Sequence, residues 1–166
     1  MDRIEADYLV VGAGAAGLAF ADTLLAETDA TIAIVDRHGR PGGHWNDAYP
    51  FVALHQPSAF YGVASMALGS GRIDTDGPNA GMHELASGPE VSGYFDRVMR
   101  ERLLPSGRVA YFPMCERRDD GTVVSLLSGT AVPATVRRKL VDARYLSPKV
   151  PATHARGFAV ADGARV

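Results

Sequence analysis

DYLVVGAGAAG, residues 7–17, sets an apolar run directly against three glycines. Tyr8, Leu9, Val10 and Val11 follow one another without polar alternation. Strands of parallel sheets, covered on both faces, have this character. Asp7–Val11 therefore reads as a short buried strand. Ala15–Ala26, rich in Ala and Leu, reads as a helix, and Thr31–Val35 as a second buried strand. The three make a βαβ unit whose crossover is right-handed. Gly12, Gly14 and Gly17 fall at the strand-to-helix turn with GxGxxG spacing. That spacing arises by chance in Ala- and Gly-rich sequence, but here each glycine has a physical task. Gly12 permits the tight turn. Gly14 lets a phosphate approach the backbone without meeting a Cβ, and Gly17 lets the helix lie close to the sheet. Ala15 and Ala16 open the helix, where free N–H groups and a partial positive charge favour an anion.

VDRHGRPGGHW, residues 35–45, follows the second strand. Asp36 stands about 20 residues beyond the glycines, where an acid accepts hydrogen bonds from a ribose 2′-hydroxyl. The same carboxylate repels a 2′-phosphate: two unit charges at about 4 Å cost about 4 kcal/mol at an effective dielectric near 20. NADP is thereby disfavoured, although Arg37 and Arg40 would soften the exclusion. The Gly42-Gly43 pair would let a second stretch of chain pass close to a ligand; the plainer reading is a surface turn after Pro41. These residues point to a dinucleotide and leave NAD and FAD open.

From His38 to Pro89 the periodicity dissolves, and a loop of that length is usually functional or mobile. Ser92–Leu104 reads as a helix with Ser92 as N-cap and Phe95, Val98, Met99 and Leu103 as its apolar stripe. Arg108–Phe112 reads as a third strand of the sheet. Tyr111–Arg117, Thr122–Leu127 and Ala134–Arg138, separated by turn residues, read as an antiparallel meander, and Leu140–Leu146 as a further strand. Residues 147–166 read as an irregular tail. Arg137, Arg138 and Lys139 read as a solvated strand end. The fold class expected is α/β, a Rossmann-like parallel sheet with an antiparallel meander. It divides into a βαβ dinucleotide unit (1–36), a cofactor-facing loop region (37–91), a helix, strand and meander region (92–146) and the tail.

Other chemistries are poorly served. The chain has 166 residues, 46% hydrophobic and 22% charged, with a net charge of −2. This suits about one globular domain and offers no basic field for nucleic acid or an acidic membrane. The single cysteine, Cys115, forms no internal disulfide and no thiolate cluster. The five histidines lack metal-ligand spacing. No GxSxG elbow is present, and Tyr94 has no lysine four residues on. Acids precede the apolar N-terminal run, which three glycines break. It reads as neither a signal peptide nor a membrane span, and the expected location is cytoplasmic.

DYLVVGAGAAGLAFADTLL followed by IVDRHGRPGGHW resembles the N-terminus of the flavoproteins with two dinucleotide-binding domains, a superfamily that includes glutathione-reductase-like enzymes and class B flavin monooxygenases. The resemblance is specific over residues 7–50 and looser to Leu146. It implies that Gly12, Gly14, Gly17 and Asp36 hold the ADP half of FAD. It places Arg37, Gly43, His44 and Trp45 along the adenosine, pyrophosphate and ribityl path. His55 and Gln56 fall at the distance where such enzymes bring chain near the flavin ring; the other reading is a loop facing water. Disulfide reductases carry redox cysteines after the double glycine, and none stands here. Gly-Gly-x-Trp followed by Tyr49-Pro50 resembles the monooxygenase side instead. It departs from that pattern in a gap one residue short, in Phe51 where glycine is usual, and in lacking the Phe-x-Gly-x-x-x-His fingerprint.

The superfamily's FAD fold closes with a late strand carrying Gly-Asp, and its second glycine-rich unit binds NAD(P)H. Neither is found in these residues, and LSPKVPATH stands where an Ala-Thr-Gly segment is usual. The expectation is an incomplete FAD-binding segment of an FAD-dependent oxidoreductase, monooxygenase-like and inactive alone. NAD(P)H would be used only with the second domain supplied, and a partner chain or self-association would cover the unfinished sheet. No catalytic acid or base stands out. The alternatives are a non-catalytic nucleotide-binding module or remnant, and an NAD-dependent dehydrogenase.

Overall fold

A computed structural model of the chain describes residues 2–144, 155, 157, 159 and 161–163. Strand β1, Ile4–Val11, is central and begins earlier than the apolar run suggests, because Ile4 and Ala6 are also buried. Helix α1, Ala15–Glu27, leads to β2, Ile32–Val35, whose four residues are all buried. β1 and β2 pair in parallel from Tyr8↔Ile32 to Val11↔Val35. The C-terminal end of α1 is closed by Arg108, whose guanidinium donates to the carbonyls of Thr28 and Leu25. A cation there also complements the helix dipole.

The stretch between β2 and the next helix is short turns pinned by backbone bonds. 3-10 turns cover Gly43–Asn46, Ser58–Phe60 and Gly77–Asn79. A small hairpin pairs β3, Gly62–Val63, with β4, Met66–Ala67. The buried Ser58 hydroxyl donates to the Glu84 carbonyl at 2.9 Å and accepts the Ala86 N–H at 2.8 Å. The Tyr94 hydroxyl accepts the Val63 N–H at 2.7 Å and donates to the Met66 carbonyl at 2.6 Å.

Helix α2, Gly88–Arg97, starts before the expected Ser92. The N-cap is Ser87, in a capping box with Glu90, and Pro89 sits in the first turn. Proline is tolerated there because its missing N–H would have no helical partner. Ser92 is instead buried within the helix. The helix continues as a π-helical turn, Val98–Leu103, and a 3-10 turn, Leu104–Ser106, before Gly107 in the left-handed region ends it. Val91, Phe95, Val98, Met99 and Leu103 join the core that α1 and one sheet face share.

β5, Val109–Phe112, pairs in parallel with β2. A meander follows: β6, Cys115–Arg117; β7, Thr122–Ser125; and β8, Ala131–Asp142. The sheet order is β5-β2-β1-β8-β7-β6, a parallel sheet extended by an antiparallel meander. β8 merges the two strands read separately over 134–138 and 140–146. Its first residues pair antiparallel with β7, and Ala134–Asp142 pair in parallel with β1. A register shift between Ala6↔Val136 and Tyr8↔Lys139 marks one extra residue in β8, a bulge that keeps the strand continuous through its charged middle. Arg137, Arg138 and Lys139 thus lie mid-strand, not at a strand end, and Arg137 donates to Asp7 and Thr31. The expected strand end at 145–146 and the LSPKVPATH segment lie outside the described residues.

Candidate functional site

The glycine turn sits where β1 ends. The Gly12 N–H donates to the Val35 carbonyl at 2.8 Å, and its φ of 111° is one that L side chains rarely adopt. Gly14 precedes α1 with no side-chain cap and no acid in the first turn. The N–H groups of Ala15, Ala16 and Gly17 have no i−4 partner in the helix. A Cβ on Gly17 would lie 2.0 Å from the Gly12 carbonyl oxygen. The helix and the turn are in direct backbone contact.

The double glycine answers to this turn. The Gly42 N–H donates to the Ala13 carbonyl at 2.8 Å. A Cβ on Gly43 would come within 2.9 Å of the Gly14 Cα, and one on Gly14 within 3.3 Å of the Gly43 Cα. Gly42 and Gly43 both have positive φ, 131° and 56°. Two bare backbone stretches therefore touch beside an uncapped helix N-terminus. A side chain at either glycine would push the two turns apart.

Asp36 closes this cradle. Its side chain is 6% exposed. Oδ2 accepts the Ala13 N–H at 2.6 Å, and Oδ1 accepts both the backbone N–H and Nδ1 of His38. Backbone bonds fix the strand end: Asp36 N–H to Phe112, Met114 N–H to His38 and Cys115 N–H to Asp36. Met114 holds a positive φ of 51° at the β5–β6 turn.

The remaining expected residues separate by environment. Arg37 is exposed, with Nη2 3.9 Å from Asp47 Oδ2. His44 is half-buried, and burial pushes its pKa below the ordinary value against the opposing charge of Asp47. Its ring stacks on Trp45 at 5.4 Å. Trp45 belongs to the core: it is 9% exposed, its Nε1 donates to the Tyr61 hydroxyl at 2.8 Å, and its ring lies against Gly88 of α2. Its evident work is to anchor the double-glycine turn to α2. A cavity of about 530 Å³ opens beside it, lined by Arg40, Tyr49, Pro50, Ser92 and Asp96 among others. His55 and Gln56 are exposed. No hydrogen bond among the described residues ties them to the glycine turn. Gly12, Gly14, Ala15, Ala16, Gly17, Asp36 and Gly43 are brought together; Arg37, His44 and Trp45 flank them.

Two features escaped the sequence reading. His38 bridges Asp36 and Asp47, with Nε2 3.0 Å from Asp47 Oδ2. Tyr111, on β5, buries its hydroxyl without a hydrogen-bond partner among the described residues. Burial, then the charges of Asp36 and Asp96, push its pKa far above the ordinary value. Tyr111→Phe removes a desolvated hydroxyl that nothing repays. The variant is expected to be more stable by about 1 kcal/mol, or about 2–4 °C in a thermal melt. A lower melting temperature would show that the hydroxyl has a partner. Among the described residues, no cluster of His, Cys, Asp or Glu is placed to hold a metal ion, and no helix is long and apolar enough to cross a membrane.

Residues 10–66 match the family model of an NAD(P)-binding Rossmann-like domain. The chain is 53% identical over 160 residues to Uncharacterized protein Rv2000 of Mycobacterium tuberculosis, covering 96% of this chain and 30% of that protein. It thus spans about a third of the length of the curated relatives it matches. Among solved structures, it superposes on a flavin-containing monooxygenase from Stenotrophomonas maltophilia with a TM-score of 0.57 at 20% identity. That match covers 84% of this chain and 38% of the monooxygenase. A polycyclic ketone monooxygenase from Thermothelomyces thermophila gives 0.57 at 20% identity, over 86% of this chain and 23% of that one. At such identity the likeness is one of fold. The chain has the Rossmann-like fold that forms part of the flavin monooxygenases.

Proposed function

We propose that the chain is the FAD-binding segment of a flavin-dependent NAD(P)H oxidoreductase of monooxygenase type. The observation that carries this reading is the contact between Gly14 and Gly43 beside the uncapped start of α1, with Asp36 at the adjoining strand end. A pyrophosphate fits such a cradle because its oxygens accept from backbone N–H groups and no side chain intervenes. Gly12, Gly14, Ala15, Ala16 and Gly17 would hold the pyrophosphate, and Asp36 the ribose. Bound flavin would supply the redox chemistry; these residues bind and orient it. The Asp36 carboxylate, held by Ala13 and His38, would need no reorganisation to accept a hydroxyl.

The test is a visible absorption spectrum of the purified protein after FAD is added and the excess removed. A retained flavin band is expected. Asp36→Ala should weaken FAD binding about tenfold, the worth of one charge-assisted hydrogen bond of about 1.5 kcal/mol. A folded protein that stays colourless, or an Asp36 variant with unchanged FAD affinity, would overturn the assignment. A second reading, NAD(P) in the same cradle, draws support from the match of residues 10–66 to the NAD(P)-binding domain. NADH binding without flavin retention would favour it.

A further inference from the structure

Each glycine of the turn meets a second stretch of chain, and the stretches differ in what they bring. Gly14 meets Gly43, which brings no side chain. Gly12 and Gly17 meet the residues that follow β8. The Ala143 N–H donates to the Val11 carbonyl at 2.9 Å, so the chain stays beside the end of β1 after Asp142. A Cβ on Gly17 would lie 3.4 Å from the Cβ of Ala143, and one on Gly12 would lie 3.4 Å from Cγ of Arg144. The stem of Arg144 thus lies against the first glycine of the turn.

Strand order gives this position its meaning. β1 leads through α1 to β2 on one side. On its other side stands β8, which the chain reaches only after β5 and the meander. The carboxyl ends of β1 and β8 therefore flank the crevice at which open α/β sheets take their ligands. A diphosphate would bring negative charge to a turn that already has the Asp36 and Asp142 carboxylates beside it. The start of α1 answers with backbone N–H groups and a partial charge only. Arg37 lies toward Asp47, and Arg40 Nε donates to Asn46 Oδ1 at 2.9 Å. Arg144 is the cation whose stem touches the glycines.

Its guanidinium is held but not used up. Nε donates to Asp142 Oδ1 at 2.9 Å and Nη2 to Asp142 Oδ2 at 2.8 Å, while the Arg144 amide donates to Oδ1 at 3.0 Å. Nη1 has no hydrogen-bond partner among the described residues. The charge of Asp119 also acts on the group, after that of Asp142. The side chain is 54% exposed, so its free edge is open to a ligand. A guanidinium fixed along one edge presents the other in a set direction, and such a planar fork suits phosphate oxygens.

We propose that Arg144, anchored by Asp142, is a diphosphate-binding residue of the dinucleotide site: it closes the cradle from the β8 side and supplies the full positive charge that the start of α1 lacks. This rests on the reading of the cradle as an FAD site and adds to it a residue outside the βαβ unit.

The experiment measures FAD affinity by quenching of flavin fluorescence, at low and at high ionic strength, on the whole protein and on Arg144→Gln. Glutamine keeps a donor and removes the charge. FAD affinity is expected to fall about tenfold at low ionic strength. The deficit should shrink at high ionic strength, because salt screens an exposed charge. ADP, competing with FAD, should lose the same factor, since it shares the diphosphate and lacks the flavin. Asp142→Asn separates binding from structure. It keeps an oxygen for the Arg144 amide and removes a negative charge, so FAD should bind as tightly as to the wild type or more tightly. Equal losses in Arg144→Gln and Asp142→Asn, or a loss in Arg144→Gln that ignores ionic strength, would overturn the proposal and reduce the pair to a structural clasp. Wild-type FAD binding that Arg144→Gln leaves unchanged would overturn it too, with the FAD site still standing. No FAD binding by the wild type would overturn both.

Discussion

Gly17→Ala is expected to lose at least about 3 kcal/mol of stability, seen as a fall of about 10 °C in the thermal midpoint. The new Cβ would sit 2.0 Å from the Gly12 carbonyl oxygen and 3.1 Å from the Gly12 carbonyl carbon. Neither is the end of a flexible side chain. Both belong to the turn that closes β1, and Gly12 is itself tied to Val35 of β2. On the other side the Cβ of Ala143 lies 3.4 Å away. To admit one methyl group, α1 must move off the sheet. Leu18, Ala21 and Leu25, all buried in the core, would move with it. Helix propensity works in the opposite direction, favouring alanine over glycine by about 1 kcal/mol, and is outweighed by the overlap. Circular dichroism melts of the two proteins decide the matter. Equal midpoints would mean that the contact between α1 and the turn is looser than described.

The βαβ unit was legible because each of its signals is local. A continuous apolar run, three glycines and an acid at a fixed spacing need no knowledge of the rest of the chain. The start of α2 was also written locally, as Ser87-x-x-Glu90, but Gly88-Pro89 reads as a loop unless proline in a first turn is weighed. β8 was less accessible. Arg137, Arg138 and Lys139 break the alternation that marks a strand. Only pairing with β1 and the bulge opposite Ala6 and Tyr8 keep them in the sheet. In the site, the glycines and Asp36 come together as their spacing implied. The family resemblance set Trp45 along the cofactor path; its indole faces Tyr61 and α2, a packing that depends on elements far along the chain. His38 gave no signal, since its importance depends on a turn that carries it back onto Asp36 while Asp47 approaches from the other side. Asp22 gave a signal that was passed over. It is the one acid in the interior of an apolar helix, whose other acid is its last residue, Glu27; Leu18 lies one turn before it and Leu25 three residues after, so that it shares their buried face.

Asp22→Ala is expected to cost about 2 kcal/mol at neutral pH, because it removes a buried acceptor and leaves the Ser65 amide and hydroxyl without it, while Arg102, 35% exposed, can turn to water. Asp22 is 1% exposed. It accepts the Ser65 N–H at 3.0 Å, the Ser65 hydroxyl at 2.6 Å and Arg102 Nε at 3.0 Å. It thereby joins α1 to the β3–β4 turn and to the π-helical turn that follows α2. Burial opposes its ionisation, but the Ser65 hydroxyl and amide and the Arg102 guanidinium prevail and hold its pKa below the ordinary 3.8. The linkage has a definite sign. A carboxylate whose folded pKa is depressed binds its proton less readily folded than unfolded. Its contribution is complete above the unfolded pKa and fades as pH falls through 3.8 toward the folded value. The gap between wild type and Asp22→Ala should therefore be constant above pH about 5 and narrow below pH about 4. Urea unfolding at a series of pH values measures it. A gap that persists undiminished into acid would show that the loss comes from packing around Asp22 rather than from its charge. Such a result would reassign the joint between α1 and the β3–β4 hairpin to shape alone.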